Sequence, residues 1–194
     1  MPILFIFLDE TLGEFGTQTS LGEINIEPVD PGKDTRSLID LPAFIDSVHS
    51  YHEWETIPPL DAMTLYENPQ QSDGPRGDTL FGSSCIPYVI FEYLESNGQL
   101  AEDPLEGSGA EFGYVAIDAS VFPDGNQVDV RANIEDTLND ELRKHASGRT
   151  LGGAFGISNS YVEFLALDGE NSWAIVQNTL NELQLGTLSK IESF

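Results

Sequence analysis

The sequence has little positive charge and almost no cysteine. Eight Lys and Arg stand against 33 Asp and Glu among 194 residues, which gives a net charge of −25. Binding to nucleic acid or to an anionic membrane requires clustered Lys and Arg, so the composition argues against both kinds of partner. The single cysteine, Cys85, cannot form a disulfide within the chain, and this favours a cytoplasmic location.

Long apolar runs are also missing. No stretch approaches the roughly 18 apolar residues that a membrane-spanning helix needs. The apolar run at residues 3–8 has no basic residue before it and Asp9 directly after it, so it does not resemble a secretory signal. Hydrophobic residues nevertheless make up 40% of the chain and aromatic residues 10%, which is enough for a folded core. We therefore expect a soluble, compact protein that needs no disulfide or structural metal.

The pattern from residue 112 onward predicts strand, helix, strand, strand, helix, strand. Apolar residues predict four strands, at 114–121, 150–155, 161–167 and 187–191. Helical spacing predicts one helix that buries Ile134, Leu138 and Leu142 and a second that Asn171 or Ser172 caps. This order is the split βαβ pattern (βαββαβ) of ferredoxin-like folds, in which two helices cover one face of an antiparallel sheet.

The first half of the chain predicts a similar inventory of elements. Its predicted strands are residues 3–8, buried on both faces, 23–27 and 62–67. Its predicted helices begin near Asp40, as the cap, and at 88–94, and its predicted loops are 12–22 and the solvent loop 68–78. The fold class is therefore α+β, with an N-terminal half at 1–100 that permits an internal duplication of 111–194. We expect one compact unit, with the loop 101–110 as the place for any domain boundary.

Asp9 and Glu10 directly follow the predicted strand 3–8 and are the candidate catalytic residues. Open α/β sheets place catalytic groups at the carboxyl ends of buried strands. The sequence Asp-Glu-Thr-Leu at 9–12 resembles the first motif of the haloacid-dehalogenase-like phosphatases. That family has a second acid two positions after the nucleophile, and Thr11 stands there, so the general acid is missing. The alternative interpretation is the start of a solvated loop.

Asp46, His49, His52 and Glu53 are the candidate metal ligands. On a helix, histidines three positions apart together with a carboxylate can bind a divalent metal. The order is not the His-Glu-x-x-His motif of zinc peptidases, because the glutamate follows the second histidine. The alternative interpretation is a half-exposed amphipathic helix.

Three further patterns point to structure rather than to chemistry. The glycine-rich run at 148–156 lacks the lysine of a phosphate-binding loop, so its glycines are expected to permit a bulge or close packing in a sheet. Cys85 has no base beside it in the sequence and is expected to be a small buried apolar residue. Asp118 and Glu163 are expected to face one sheet surface, where they could form a carboxylate pair.

The charge and the missing catalytic motifs favour a non-enzymatic binding protein over an enzyme. We expect an acidic protein, without cofactor, that docks a basic protein partner, as a bacterial immunity protein, anti-effector or inhibitor would. Complementary charge speeds such encounters and selects the partner. The alternatives are a metal-dependent hydrolase that uses clustered carboxylates and a homo-oligomer with a structural role. Solubility or salt adaptation would also account for the acidity.

Overall fold

The chain divides into two compact units, Met1–Ala62 and Met63–Phe194. The computed structural model describes residues 2–22, 28, 32, 35–55, 57–123 and 125–194. The strand predicted at 23–27 lies outside these residues. The segment 101–110 is a loop within the second unit.

The first unit begins with a helix where the sequence predicts a strand. Helix α1 spans Pro2–Ser20 and is divided at Gly13, whose backbone is not helical (φ 74°, ψ 158°). The predictions of a strand at 3–8 and of a loop over 12–22 are therefore wrong. A run of six apolar residues fits a helix as well as a strand, and no proline stops the helix after Leu8. Leu8 is buried, whereas the three residues before it are exposed.

The helix predicted to begin near Asp40 is confirmed. Helix α2 spans Leu41–His52 and follows a 3₁₀ turn at Leu38–Asp40. Asp40 occupies the N-cap position, but its side chain makes no capping hydrogen bond. Glu53 adopts a left-handed conformation (φ 54°) and ends the helix. A second 3₁₀ turn, Pro59–Asp61, lies at the end of this unit.

The second unit is built on one antiparallel sheet. Its six strands are β1 Thr64–Glu67, β2 Thr79–Ser84, β3 Glu111–Asp118, β4 Gly148–Gly156, β5 Asn159–Ala166 and β6 Ser189–Ser193. Its helices are α3 Pro87–Glu95, α4 Gln127–Lys144 and α5 Gly169–Glu182. The strand order across the sheet is β1-β2-β4-β5-β3-β6. Together with α1 and α2, these elements confirm the α+β class over the described residues.

The C-terminal elements follow one another as predicted, in the order β3, α4, β4, β5, α5, β6. Within the sheet, β3 lies between β5 and β6 and is antiparallel to both. This arrangement is consistent with a ferredoxin-like unit, to which the hairpin β1–β2 is added beside β4. The sequence shows these elements clearly because their apolar residues alternate in the strands and recur at helical spacing in the helices.

Alternate residues of the strands face two separate cores. Val115, Ile117, Val162 and Phe164 face α4 and α5, where they pack against the predicted stripe Ile134, Leu138 and Leu142. The intervening residues of the same strands, Tyr114 and Tyr161, face the opposite side and pack with residues of α3. The expectation of helices on one face is thus right for α4 and α5, whereas α3 lies against the other face. Helix α3 follows β2 and precedes β3 in the chain, so it is added to the ferredoxin-like order together with the hairpin β1–β2.

Candidate functional site

A buried ion pair lies on the α3 side of the sheet. Arg76 and Glu163 are 3% and 0% exposed, and the Nη2 atom of Arg76 lies 2.7 Å from Oε1 of Glu163. The hydroxyl of Tyr66 donates to the same Oε1 at 3.1 Å and accepts from Nη2 of Arg76, also at 3.1 Å. Strands β1 and β5 and the loop between β1 and β2 each supply one member of this cluster.

The backbone of a tight loop turns Arg76 inward. Arg76 is in the left-handed conformation (φ 57°), and its carbonyl accepts from the amide of Thr79, at the start of β2. Two further backbone hydrogen bonds, from Gly77 to Gly74 and from Ser72 to Gly77, close the loop. The prediction of a loop at 68–78 is confirmed, but its arginine is buried rather than solvated.

Aromatic rings surround the guanidinium of Arg76. Its Cζ atom lies 4.8 Å from the ring centroid of Tyr161, 5.2 Å from that of Tyr114 and 5.3 Å from that of Phe194. A cation held over aromatic faces at such distances is stabilised by the ring quadrupoles, and more strongly when it is desolvated. The three rings therefore add to the stabilisation that Glu163 gives to the buried charge.

The same environment shifts the pKa values of the buried groups. Burial is the largest single influence and opposes the charged form of Arg76, but the Glu163 carboxylate together with Tyr66 and Tyr161 outweighs it, so the pKa of Arg76 is raised. Burial, followed by the charge of Glu163, raises the pKa of Tyr66. Burial also raises the pKa of Tyr114 and of Tyr161, with further contributions from their hydrogen bonds to Glu192 and Asp78. The three phenols therefore stay protonated well above the pH at which free tyrosine ionises.

Some polar atoms of this cluster have no partner. Among the described residues, Nε and Nη1 of Arg76 and Oε2 of Glu163 make no hydrogen bond. Buried nitrogen and oxygen atoms are nearly always paired, so each exception requires an explanation such as a bound water or a ligand. The cluster thus has hydrogen-bonding capacity that the described protein atoms do not use.

A cavity of about 300 Å³ adjoins the ion pair and opens to the surface. Strands β3, β5 and β6 form it, with Arg76 from the loop before β2. Its lining residues are Arg76, Tyr114, Ala116, Asp118, Asn159, Tyr161, Thr187, Leu188, Ser189, Lys190 and Glu192. In the sheet register, Ala116 stands between Lys190 on β6 and Tyr161 on β5. The small side chain of Ala116 therefore leaves room at the middle of the cavity.

The two carboxylates of the cavity already have donors. Asp118 accepts a hydrogen bond from the amide of Ser120 at 2.8 Å, and the hydrogen bonds of Ser120 hold the pKa of Asp118 below its usual value. Glu192 accepts from the hydroxyl of Tyr114 at 2.6 Å. The side-chain ammonium of Lys190, in contrast, makes no hydrogen bond or ion pair with another residue of the described part of the chain. Among the lining residues, the groups without a partner in the described part of the chain are thus the ammonium of Lys190 and two guanidinium nitrogens of Arg76, all of which are hydrogen-bond donors.

A second concave surface lies on the α4 side of the sheet and is more apolar. It is a groove of about 420 Å³ whose apolar lining residues are Phe81, Ala119, Phe122, Val128, Phe155 and Ile157. Val128 and Ile157 are each 62% exposed, and Phe81 is 50% exposed. The rings of Phe81 and Phe155 lie side by side, with centroids 5.4 Å apart. Large exposed apolar side chains grouped in this way are typical of a surface that binds another molecule.

Asp9 and Glu10, the candidate catalytic residues, lie within α1 and are both exposed. They do not stand at the end of a strand, so the placement that made them candidates is wrong. The likeness to the phosphatase motif loses the same support, because that motif follows a strand.

Asp46, His49 and His52 lie on α2, and Glu53 is the residue that ends it. The imidazole of His52 stacks on the indole of Trp54 with ring centroids 4.6 Å apart, and the ring of His49 meets Trp54 edge-on at 6.1 Å. Within the ranges that the structure describes, no group of three or more His, Cys, Asp and Glu could hold a metal ion. Asp46 lies near the middle of α2 and the other three residues at its C-terminal end, and a metal site there stays a prediction.

The remaining patterns have mixed outcomes. The glycine-rich run forms β4, and a register shift between Thr150 and Gly152 gives the expected irregularity. Cys85 is half-buried rather than buried. Asp118 and Glu163 face the same side of the sheet, but Glu163 stands opposite Tyr114 and Asp118 opposite Asn159. They therefore form no pair, and Glu163 is neutralised by Arg76 instead.

The sequence does not predict Arg76, Tyr66 or Lys190 as site residues. One signal for Arg76 was present, because Glu163 is a charged residue within an otherwise apolar strand of a chain with only eight Lys and Arg. A carboxylate at a buried strand position needs a cationic or hydrogen-bonding partner. Nothing local marks Arg76 as that partner, since it lies among Gln, Ser, Asp and Gly.

Comparison with known proteins gave no match: no family model, no curated protein and no solved structure is significantly similar to the chain. Within the described residues, no helix combines the length and the apolar character needed to cross a membrane. Any function must therefore be argued from the cluster, the cavity and the groove themselves.

Proposed function

We propose that the chain is a non-enzymatic binding protein that docks a basic protein partner, and that the apolar groove beside α4 is the centre of the docking surface. The observation that carries the proposal is the position of this groove next to a stripe of carboxylates. Protein interfaces commonly combine an apolar centre with a polar rim. The proposal extends to an immunity, anti-effector or inhibitor role, since such proteins act by docking alone.

The acidic stripe runs along the outer side of α4. Asp129, Asn133, Asp136 and Asp140 recur at helical spacing and are all exposed. Asp129 directly follows Val128 of the groove, so the stripe starts at the groove. A partner that covers both surfaces would place apolar side chains in the groove and Lys or Arg along the stripe.

The positive charges of the second unit do little to offset these carboxylates. The unit has 21 Asp and Glu against 6 Lys and Arg. Arg76 is buried against Glu163, while Arg131 and Lys144 form ion pairs with Glu135 and Glu141 of α4 itself. The field outside the unit is therefore strongly negative, which attracts a cationic protein and speeds its association.

The test uses the full chain as bait with a matched charge control. The first variant replaces Asp129, Asp136 and Asp140 by Asn. The control, Glu102→Gln, Asp103→Asn and Glu106→Gln, removes the same charge from the exposed loop 101–110. Proteins captured from lysate at 50 mM and 500 mM salt are identified, and the purified partner is then titrated calorimetrically against each bait.

We expect a basic partner whose affinity for the stripe variant falls by about 3- to 150-fold, because three rim charge pairs contribute about 0.2–1 kcal/mol each. The loop control should change the affinity by less than about twofold. A second variant, Val128→Ser with Ile157→Ser, should weaken binding without changing its salt dependence, since it removes no charge. The proposal is wrong if no basic protein is captured, or if the stripe variant and the loop control behave alike.

A further inference from the structure

We propose that the cavity beside Arg76 binds a small zwitterion, a free amino acid, independently of the docking surface on the other side of the sheet. The cavity lies on the α3 side and the groove on the α4 side, and they share no lining residue. Four charged side chains that line the cavity, and the two guanidinium nitrogen atoms of Arg76 that have no acceptor among the described residues, carry the inference.

We infer the carboxylate group of the ligand from hydrogen-bond donors at the cavity that have no acceptor. Nε and Nη1 of Arg76 have no acceptor among the described residues, and Lys190 lies at the rim with no ion pair in that part of the chain. The side chain of Arg76 is fully buried, so an unpaired donor there is costly. These nitrogen atoms have no exposed surface in the free protein, so a ligand carboxylate bound at Lys190 satisfies them when the Arg76 side chain shifts toward it.

We infer the ammonium group of the ligand from the balance of charged side chains at the cavity. Arg76 and Glu163 cancel each other, Lys190 adds one positive charge, and Asp118 and Glu192 add two negative charges. The four charged lining residues balance, but Arg76 is already neutralised by Glu163, so a simple anion would meet two carboxylates with Lys190 as the only uncompensated cation among the lining residues. A ligand that also carries an ammonium group can place it beside Glu192 or Asp118, where each carboxylate keeps an oxygen for a further donor.

The size and the walls fit such a ligand. A cavity of about 300 Å³ is at the lower end of the range for small-molecule sites. The rings of Tyr114 and Tyr161 supply flat walls, and both hydroxyls are engaged, with Glu192 and Asp78 respectively. Because these rings also pack on Arg76, they are held in place before any ligand arrives.

The test begins with the full chain and the twenty free amino acids, each at 5 mM, in a thermal unfolding assay. We expect at least one of them to raise the unfolding midpoint by more than about 2 °C, as mass action predicts for a ligand of the native state. Amide chemical shifts measured with that amino acid should change at Ala116, Tyr161 and Lys190. If none of the twenty raises the midpoint, the proposal is wrong.

Analogues and variants then test the assigned contacts. The des-amino acid and the decarboxylated amine of the bound amino acid should each bind at least tenfold more weakly, because each lacks one charged end. Ala116→Leu should abolish binding by filling the cavity. Lys190→Gln, at an exposed position, should weaken binding at least fivefold, whereas Lys144→Gln, the matched loss of charge on α4, should not. Equal affinity of either analogue, or unchanged binding by Lys190→Gln, would overturn the assignment.

Discussion

Replacing Glu163 by Gln tests whether the buried ion pair stabilises the second unit. The substitution keeps the shape of the side chain but leaves the charge of Arg76 without a counter-ion in a site with no exposure. Removing one partner of a buried pair costs about 3–5 kcal/mol of unfolding free energy. For a unit of this size, that corresponds to a fall in melting temperature of about 10–20 °C.

The measurement is a double-mutant cycle followed by urea denaturation. The variants are Glu163→Gln, Arg76→Met and the double variant, all in a Trp54→Phe background. The fluorescence then reports Trp173, which packs on Phe164 in the second unit. The double variant should lose at least about 2 kcal/mol less than the sum of the single losses, since neither charge remains to be buried alone.

A less buried pair on the same unit provides the control. Arg131 and Glu135 lie 2.7 Å apart with side chains 11% and 19% exposed. Glu135→Gln should cost no more than about 1 kcal/mol, because burial raises the pKa of Glu135 more than Arg131 lowers it, so the ionised carboxylate adds little net stability. If Glu163→Gln costs as little as Glu135→Gln, or if the cycle is additive within about 0.5 kcal/mol, the ion pair does not have the role that its burial implies.

Two further perturbations probe the surroundings of the cluster. The pKa values of Tyr66, Tyr114 and Tyr161 are raised in the native state, so the unfolded chain loses these protons first as the pH rises. The free energy of unfolding should therefore fall above about pH 10, by about 1.4 kcal/mol per pH unit for each tyrosine. Urea denaturation between pH 9 and 11 measures this slope, and a flat profile contradicts it. Gly152→Ala should cost about 2–4 kcal/mol, because φ is +130° and a Cβ atom would lie 2.1 Å from the carbonyl oxygen of Ser83. Gly125→Ala, with positive φ but open space, should cost no more than about 1 kcal/mol in the same assay.

The sequence predicts the second unit well wherever the periodicity of its apolar residues is unambiguous. Ile134, Leu138 and Leu142 repeat at helical spacing and form the buried side of α4. The run at 3–8 has no such periodicity, so its burial pattern and its helical conformation depend on packing that the local sequence does not encode. The N-terminal strand prediction fails for this reason.

The cluster itself could be predicted only in part. The sequence places Glu163 on a sheet face, and its apolar neighbours imply burial. Its partner Arg76 lies far away in the sequence, in the loop between β1 and β2, and the composition of that loop is typical of solvent-exposed loops. Pairings of this kind depend on sheet register and on the added hairpin, and neither follows from residue spacing along the chain.

The position of β3 between β5 and β6 has a consequence for synthesis of the protein. Both neighbours of β3 are encoded after it, so Val115 and Ile117 leave the ribosome with neither edge of their strand able to pair. At about 5–20 residues per second, several seconds pass before β5 is available, and β6 follows later still. During that interval an apolar strand with two open edges is available for wrong pairings. The nascent chain is therefore most vulnerable to aggregation before β5 and β6 have emerged from the ribosome.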